Sequence, residues 1–274
     1  MLRRSGGRGK GGMRSVEVAG IRVVALTDCA PAPAACGYSF PEADLAAHPE
    51  VAARWFSGGE FRTRFGPFLL RGGNGDVLVD CGMGPEVGYF PGLLGDLPGE
   101  LARAGSSLDR VTEVVFTHLH VDHVGWAPYL PNALFHVAAA EWAHWAGPGA
   151  GLAHHVEAVG RCIAPLATAG RLVMAEREVL PGVRLIAAPG HTPGHQAVLV
   201  GEGLLIAGDT WHNPAQIAVP QWCHRADMDK AAAVVTRGRI AALARENGWL
   251  VAAGHFTAEN VFGRIGAGFE PLSA

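Results

Sequence analysis

Residues 118–123, HLHVDH, crowd three histidines and an aspartate into six positions, one residue after the apolar run EVVF (113–116). Imidazole nitrogen and carboxylate oxygen are the donors that zinc and other first-row cations accept. If extended backbone persists through the motif, His118 and His120 point to one face, while Asp122 and His123 follow in the turn and point elsewhere. One segment then offers two ligands to each of two cations. Three other strand ends carry matching residues. PGHTPGH (189–195) holds His191 and His195, AGDT (207–210) holds Asp209, and AAGHF (252–256) holds His255. Functional loops on α/β scaffolds occupy such positions. Taken singly, Asp209 would cap a turn and His255 would be a satisfied edge histidine. Beside HLHVDH they form one constellation.

The elements that must position these residues are legible in outline. VEVAGIRVVALTD (16–28) mixes alternation with β-branched residues and predicts a strand. Residues 41–56 predict a helix or a covering loop. FRTRFGPFLLRGGNGDVLVDCGMG (61–84) predicts a hairpin turning at GGNGD. A short helix over 94–105 closes at Gly105. EVVFTH (113–118) is a strand, 134–146 begins as strand and becomes helical, and 152–168 is helical. VRLIAAPGHTPGH (183–195) is a strand entering a Gly/Pro turn, and 196–210 is a second hairpin with GEG at its turn. Residues 228–247 form the strongest helix, with Asp227 as N-cap and Gly248 as stop. WLVAAGH (249–255) is a last strand. Hairpins mixed with βα units imply a mixed α/β class.

Composition bounds the partners. The chain has 274 residues, about half of them hydrophobic, so a sizeable core is available. With 22 basic against 25 acidic residues, the net charge of −3 lacks the basic excess of a nucleic-acid-binding surface. Cys29, Cys36, Cys81, Cys162 and Cys223 are odd in number and make no CxxC pair, so buried reduced thiols are expected rather than a disulfide framework. No run approaches the ~18 apolar residues of a membrane helix, and a cytoplasmic location is expected. MLRRSGGRGKGG has no apolar stretch after its arginines. Residues 1–14 are expected to be a disordered tail, and residues 15–274 a single catalytic domain.

The order HxHxDH, GHTPGH, GD, GH resembles the metallo-β-lactamase-fold hydrolases over roughly residues 15–265. The resemblance implies a four-layer αβ/βα sandwich with the cations held at one edge between the sheets. It implies that His118, His120 and His195 serve one cation, that Asp122, His123 and His255 serve the other, and that Asp209 bridges them. The residues alone do not choose between His191 and His195; the resemblance implies the second, leaving His191 to the turn or to orienting a ligand. The implied cofactor is a pair of divalent cations, zinc first, with iron, manganese or cobalt also suited to N/O donors. Such a pair lowers the pKa of bound water towards ~7 and polarises the attacked group. Asp122 would orient the resulting hydroxide and pass a proton to the leaving group.

Departures from particular branches narrow the reading. Antibiotic-hydrolysing relatives carry cysteine where Asp209 stands, and flavin-linked di-iron relatives carry glutamate in place of His120. GDTWHNPAQIAVPQW (208–222) resembles the lactonase and organophosphate-hydrolase branch. Lactonases of that branch carry a carbonyl-polarising tyrosine three residues after the bridging aspartate; here that position is His212, which would supply a similar hydrogen bond. Trp126, Trp211, Trp222, Phe65, Phe68 and Phe256 would line an apolar pocket or belong to the core. The expected activity is hydrolysis of a small ester or lactone, by a chain for which a homodimer is the prior. The alternative is a thioesterase or cyclase-lyase acting on a carrier-bound polyketide, with a carrier protein as partner.

Overall fold

The computed structural model describes residues 13–72, 75–85, 92–148, 151–175 and 177–273. β1 (Ser15–Val18) turns through Ala19 and Gly20 into β2 (Ile21–Ala25). The single strand expected over 16–28 is thus a hairpin. Both turn residues have positive φ, 52° and 81°, the geometry whose twist matches the flanking strands. A ribbon of β3 (Ala34–Ala35) and β4 (Glu60–Phe61) brackets α1 (Cys36–Ser39) and α2 (Pro49–Trp55). β5 (Phe68–Arg71) and β6 (Asp76–Val79) form the expected hairpin, whose GGNGD turn lies partly outside the described residues. α3 (Leu97–Arg103) is capped by Asp96 and precedes β7 (Val111–Val115), α4 (Val121–Val124), β8 (Leu134–Ala138), α5 (Ala139–Ala146), α6 (Ala153–Cys162), α7 (Ala164–Thr168) and β9 (Leu172–Ala175). The first sheet runs β1-β2-β5-β6-β7-β8-β9. Its pairs are antiparallel up to β6 and parallel beyond.

The second sheet contains β10 (Glu178–Leu180), β11 (Val183–Ala187), β12 (Gln196–Val200), β13 (Leu204–Ile206), β14 (Leu250–Ala252), β15 (Phe262–Ile265) and β16 (Phe269–Pro271), in chain order. Between β13 and β14 come α8 (Ala215–Ala218) and α9 (Lys230–Glu246), and that pair of strands is parallel. The strands β9, β10, β15 and β16 carry no alternation strong enough to announce themselves. β9, at a sheet edge, is half exposed along its length, and an edge strand owes its state to pairing rather than to an apolar pattern.

Side-chain alternation builds the layers. Val23, Ala25, Phe68, Leu70, Val79 and Val115 of the first sheet pack against Val198, Val200, Leu204, Ile206, Leu250 and Phe262 of the second. The intervening residues Val24, Leu69, Leu78 and Val114 face outward and meet Leu97, Leu101, Val159 and Leu166 of the helices. Leu199, Leu205 and Val251 face outward on the other side and meet Ile240, Ala241 and Ala244 of α9. Both faces of each sheet are covered, which is why VLV, EVVF and LLI read as continuous apolar runs. The result is the expected αβ/βα order. β6, β7, β13 and β14 end at the same edge of the sandwich, where the parallel pairs align their carboxyl ends.

Several expectations change at this level. The tail expected over 1–14 lies mostly outside the described residues, but Arg14 bonds to Leu272 O and its own carbonyl accepts from Ala25 N. All five cysteines are buried thiols outside any disulfide. No described helix is long and apolar enough to cross a membrane. The aromatic residues considered for a pocket are all buried: Phe68 in the inter-sheet core, Trp211 and Phe256 under α9, Trp222 against Phe40 and Phe56, Phe65 and Trp126 behind the first sheet. Trp126 is further held by a bond from its Nε1 to Asp28.

Asp28 gives the fold a pH signature. Its carboxylate is 2% exposed and accepts from Met83 N and Trp126 Nε1. Burial outweighs those bonds and pushes its pKa from 3.8 up to about 6. Folding therefore takes up a proton between about pH 4 and 6, and the stability this supplies, present below pH 4, is lost as pH rises through 6. Relative to Asp28→Asn, the wild type should lose about 2 kcal/mol between pH 4 and 7. Urea unfolding of the metal-free proteins across that range checks this; equal slopes would refute it.

Candidate metal centre

The paired strand β7 ends at Val115, His120 keeps extended backbone at φ −71° and ψ 158°, and His118 and His120 fall in one donor group. Two buried carboxylates hold the loop. Asp80, at φ 58°, accepts from Thr117 N and Thr117 Oγ1, each at 2.8 Å, and lies 2.9 Å from His123 Nδ1. A non-glycine residue in that region is strained and persists because its surroundings hold it. Glu141 of α5 accepts from Leu119 N, Thr192 Oγ1, Gly194 N and Trp145 Nε1, tying HLHVDH to the GHTPGH turn. His120 is the N-cap of α4, and that helix turns Asp122 and His123 to a second position.

The remaining loops converge on the same edge. Gly208 has φ +53°, and a Cβ there would lie 2.6 Å from His195 Nε2 and 2.8 Å from Thr117 Cβ. Glycine therefore lets the Asp209 loop approach the HLHVDH loop. His255 follows β14 and is held through Nδ1 by Thr63 Oγ1 at 3.2 Å and Arg64 O at 3.1 Å. His191 and His195 have different surroundings. His195 Nδ1 faces Ala188 O and its Nε2 accepts from Asp209 N, both at 2.9 Å. His191 Nε2 instead lies 3.2 Å from Asp209 Oδ2 and 2.9 Å from His120 Nδ1. Both ring nitrogens of His195, the histidine expected as a ligand, are engaged by backbone, and a nitrogen has one lone pair to give, whereas His191 Nε2 faces the other donors.

Among the described residues four groups have their ligand atoms within 4.8 Å of one another: His118, His120, His191 and Asp209 in one, Asp122, His123 and His255 in a second, and His212 with His191 and Asp227 or with Asp209 and His255 in the others; the first two hold most of the expected ligands. Asp209 lies between them. Its Oδ2 is 3.1 Å from His255 Nε2 and 3.7 Å from His118 Nε2, and its Oδ1 is 3.4 Å from His123 Nε2. Asp122 Oδ2 is 3.4 Å from His255 Nε2 and 3.5 Å from His123 Nε2. His212 Nε2 also reaches Asp209 Oδ2, at 3.1 Å.

The donor set fits divalent cations. His118 Nε2, His123 Nε2 and Asp209 Oδ1 are buried without a hydrogen-bond partner among the described residues. Unpaired buried polar atoms cost roughly 1–3 kcal/mol each, and a cation between the two groups would satisfy all three. Burial and the neighbouring imidazoles push His118 and His120 well below the usual histidine range, so both present lone pairs. Burial would raise Asp209, but His255, His123 and His212 hold it well below the carboxylate range. Asp122 is likewise held down by His123 and His255 against burial. Burial lowers His191, but Asp209 and Asp227 outweigh it and raise it to about 9. Cation binding would displace that proton.

Sequence reasoning missed Asp80, Glu141, Asp227 and Arg237. Asp80 stands directly after the apolar run VLV, so the strand-end criterion that singled out Asp209 applies to it equally. Glu141 offers no such signal. Asp227 was expected to cap the long helix, but Asp229 does so through Ala232 N, leaving Asp227 to contact His191 Nδ1 at 3.0 Å.

A family model described as the metallo-beta-lactamase superfamily matches residues 67–255. An N-acyl homoserine lactonase from a Bacillus species is 32% identical over 150 residues, covering 48% of this chain and 56% of that protein. The chain thus spans little more than half the length of the curated relatives it matches. Among solved structures, the hydrolase AbOPH aligns with a TM-score of 0.82 at 24% identity, covering 96% of this chain and 98% of that one. AidC, a dizinc quorum-quenching lactonase in complex with a product, aligns with a TM-score of 0.79 at 21% identity, with the same coverage. At these identities the two structures establish the fold.

Proposed function

The chain belongs to the metallo-beta-lactamase superfamily, and from that premise we propose that it is a metal-dependent hydrolase opening a small ester or lactone at a two-cation centre. The observation that carries the reading is Asp209: one buried carboxylate within 3.1–3.7 Å of His118, His123, His191, His212 and His255, joining both donor groups. In this reading His118, His120 and His191 hold one cation and Asp122, His123 and His255 the other, with Asp209 shared, within one catalytic domain over residues 15–274. Zinc suits these donors, as do iron, manganese and cobalt. Bound cations supply Lewis acidity, which acidifies water at neutral pH and polarises an acyl oxygen.

The chain's own residues supply positioning and proton handling. The Asp122 side chain is 13% exposed, against 2% for Asp209 and 0% for His118, so it sits where the centre meets solvent. Its carboxylate can take a proton from the attacking water and release it to the leaving alkoxide. His212 Nε2 faces Asp209 Oδ2; a proton there makes it a donor to a substrate acyl oxygen entering beside Asp209. The named activity of the Bacillus relatives and of AidC supports a lactone as substrate.

Metal analysis of purified protein should find about two cations per chain, and a panel of lactones and aryl esters should yield turnover. His120→Ala should lower kcat/KM at least about a thousandfold, the equivalent of ~4 kcal/mol. Protein that binds no cation and turns over none of the panel would overturn the reading.

A further inference from the structure

His191 uses its second nitrogen in a way that reaches beyond the centre. Nδ1 lies 3.0 Å from Asp227 Oδ1. An ionised carboxylate only accepts, so Nδ1 carries a hydrogen, and once a cation displaces the other proton it is Nε2 that presents its lone pair to the centre. The other Asp227 oxygen accepts from Arg237 Nη2 and, at 2.9 Å, from His224 N. Neither side chain reaches solvent: Asp227 is 0% and Arg237 1% exposed. Arg237 also donates through Nε to Thr210 O at 2.9 Å, and through Nη1 to Pro220 O at 3.1 Å and Cys223 Sγ at 3.4 Å. One guanidinium in the middle of α9 therefore fixes the residue after Asp209, the loop that follows His212, and the carboxylate behind His191.

The same helix also grips the His191 turn through backbone. Met228 N bonds to His191 O, Asp229 N to Gly190 O, and Thr236 Oγ1 to Pro189 O. Gly190 has φ +133°, and a Cβ there would fall 2.3 Å from Ala233 N, so α9 begins directly over the turn. The helix is anchored on its far side by Ile240, Ala241 and Ala244 against the second sheet.

We propose that Asp227 and Arg237 are positioning residues of the metal centre, acting through His191 and Thr210. Asp227 fixes the tautomer and ring orientation of His191, and Arg237 fixes Asp227 while locking the Asp209 loop to α9. This rests on the metal-centre reading above. Carboxylates behind metal-bound histidines commonly support affinity by about 10–100-fold. A buried carboxylate left without its cationic partner would be strongly unfavourable, which gives Arg237 its place.

The test is cation affinity rather than turnover. Zn²⁺ or Co²⁺ is titrated against a chromophoric chelator for wild type, Asp227→Ala, Asp227→Asn and Arg237→Lys, with far-UV circular dichroism as a control for folding. Asp227→Ala should weaken one of the two cation sites about 10–100-fold and change the visible absorption of the Co²⁺ form. Asp227→Asn, which keeps an acceptor for Nδ1–H, should recover part of that loss, and it tests the proposal should the alanine variant fail to fold. Arg237→Lys, which keeps the charge but not the fork, should also weaken binding. If wild type binds two cations and all folded variants bind them with unchanged affinity, the positioning role is overturned and the metal centre stands. If wild type binds none, both fall.

Discussion

Asp209→Ala should lower kcat/KM by about a thousandfold or more and should reduce the bound cation to less than half of the wild-type content. The carboxylate belongs to one donor set and reaches His123 and His255 of the other, with imidazole nitrogens of His191, His212 and His255 at 3.1–3.2 Å from one of its oxygens. Removing it takes one negative charge from a buried cluster of histidines and would leave the two proposed cations without a shared anion. Their mutual repulsion in a poorly solvated site would then be uncompensated. Asp209→Asn separates charge from shape, since an amide still offers one acceptor; it too should lose most activity. Cation content is read by atomic spectroscopy and turnover on the best lactone or ester found. An alanine variant retaining both cations and most of its rate would remove Asp209 from the centre.

The second large effect distinguishes two histidines four residues apart. His191→Ala should drop the cation content from about two per chain towards one and abolish most hydrolysis, because His191 Nε2 faces His120 and Asp209. His195→Ala should keep both cations but destabilise the fold. Its ring joins Ala188 O to Asp209 N, and both groups would be buried without a partner, a cost of roughly 2–4 kcal/mol. Urea unfolding reads the second effect and metal analysis the first. The reversed pattern, cation loss from His195→Ala and retention in His191→Ala, would restore the assignment implied by the sequence resemblance.

That pair also marks where sequence legibility ended. GHTPGH places two histidines in one Gly/Pro-rich turn, and spacing alone does not say which ring nitrogen meets backbone. The decision comes from residues far away in the chain. Asp209 N, fourteen residues on, takes up His195 Nε2, while Asp227, thirty-six residues on, orients His191. The reading of His118 and His120 was similar. The motif pointed to residues that the structure brings together, but it did not reveal that Asp80 and Glu141 hold the loop carrying them.

The aromatic residues were left open by the sequence. Trp126 and Phe256 stand beside motif histidines, which suits either a pocket wall or the core. Their rings are buried, Trp126 behind the first sheet and Phe256 under α9. Proximity in sequence to a loop residue does not fix direction, because a side chain leaving the loop can turn back into either layer.

The sequence by itself determined the mixed α/β class, the apolar strands buried on both faces, and the set of histidines and aspartates gathered at strand ends. Those properties are local: apolar periodicity, glycine at turns, and residue types at the ends of runs. Only the tertiary structure decided which histidine faces the cluster, which carboxylates stand behind it, and that Arg237 of α9 ties those supports together. Hydrogen bonds between residues tens of positions apart set these choices, and their geometry exists only once the two sheets and their helices have packed.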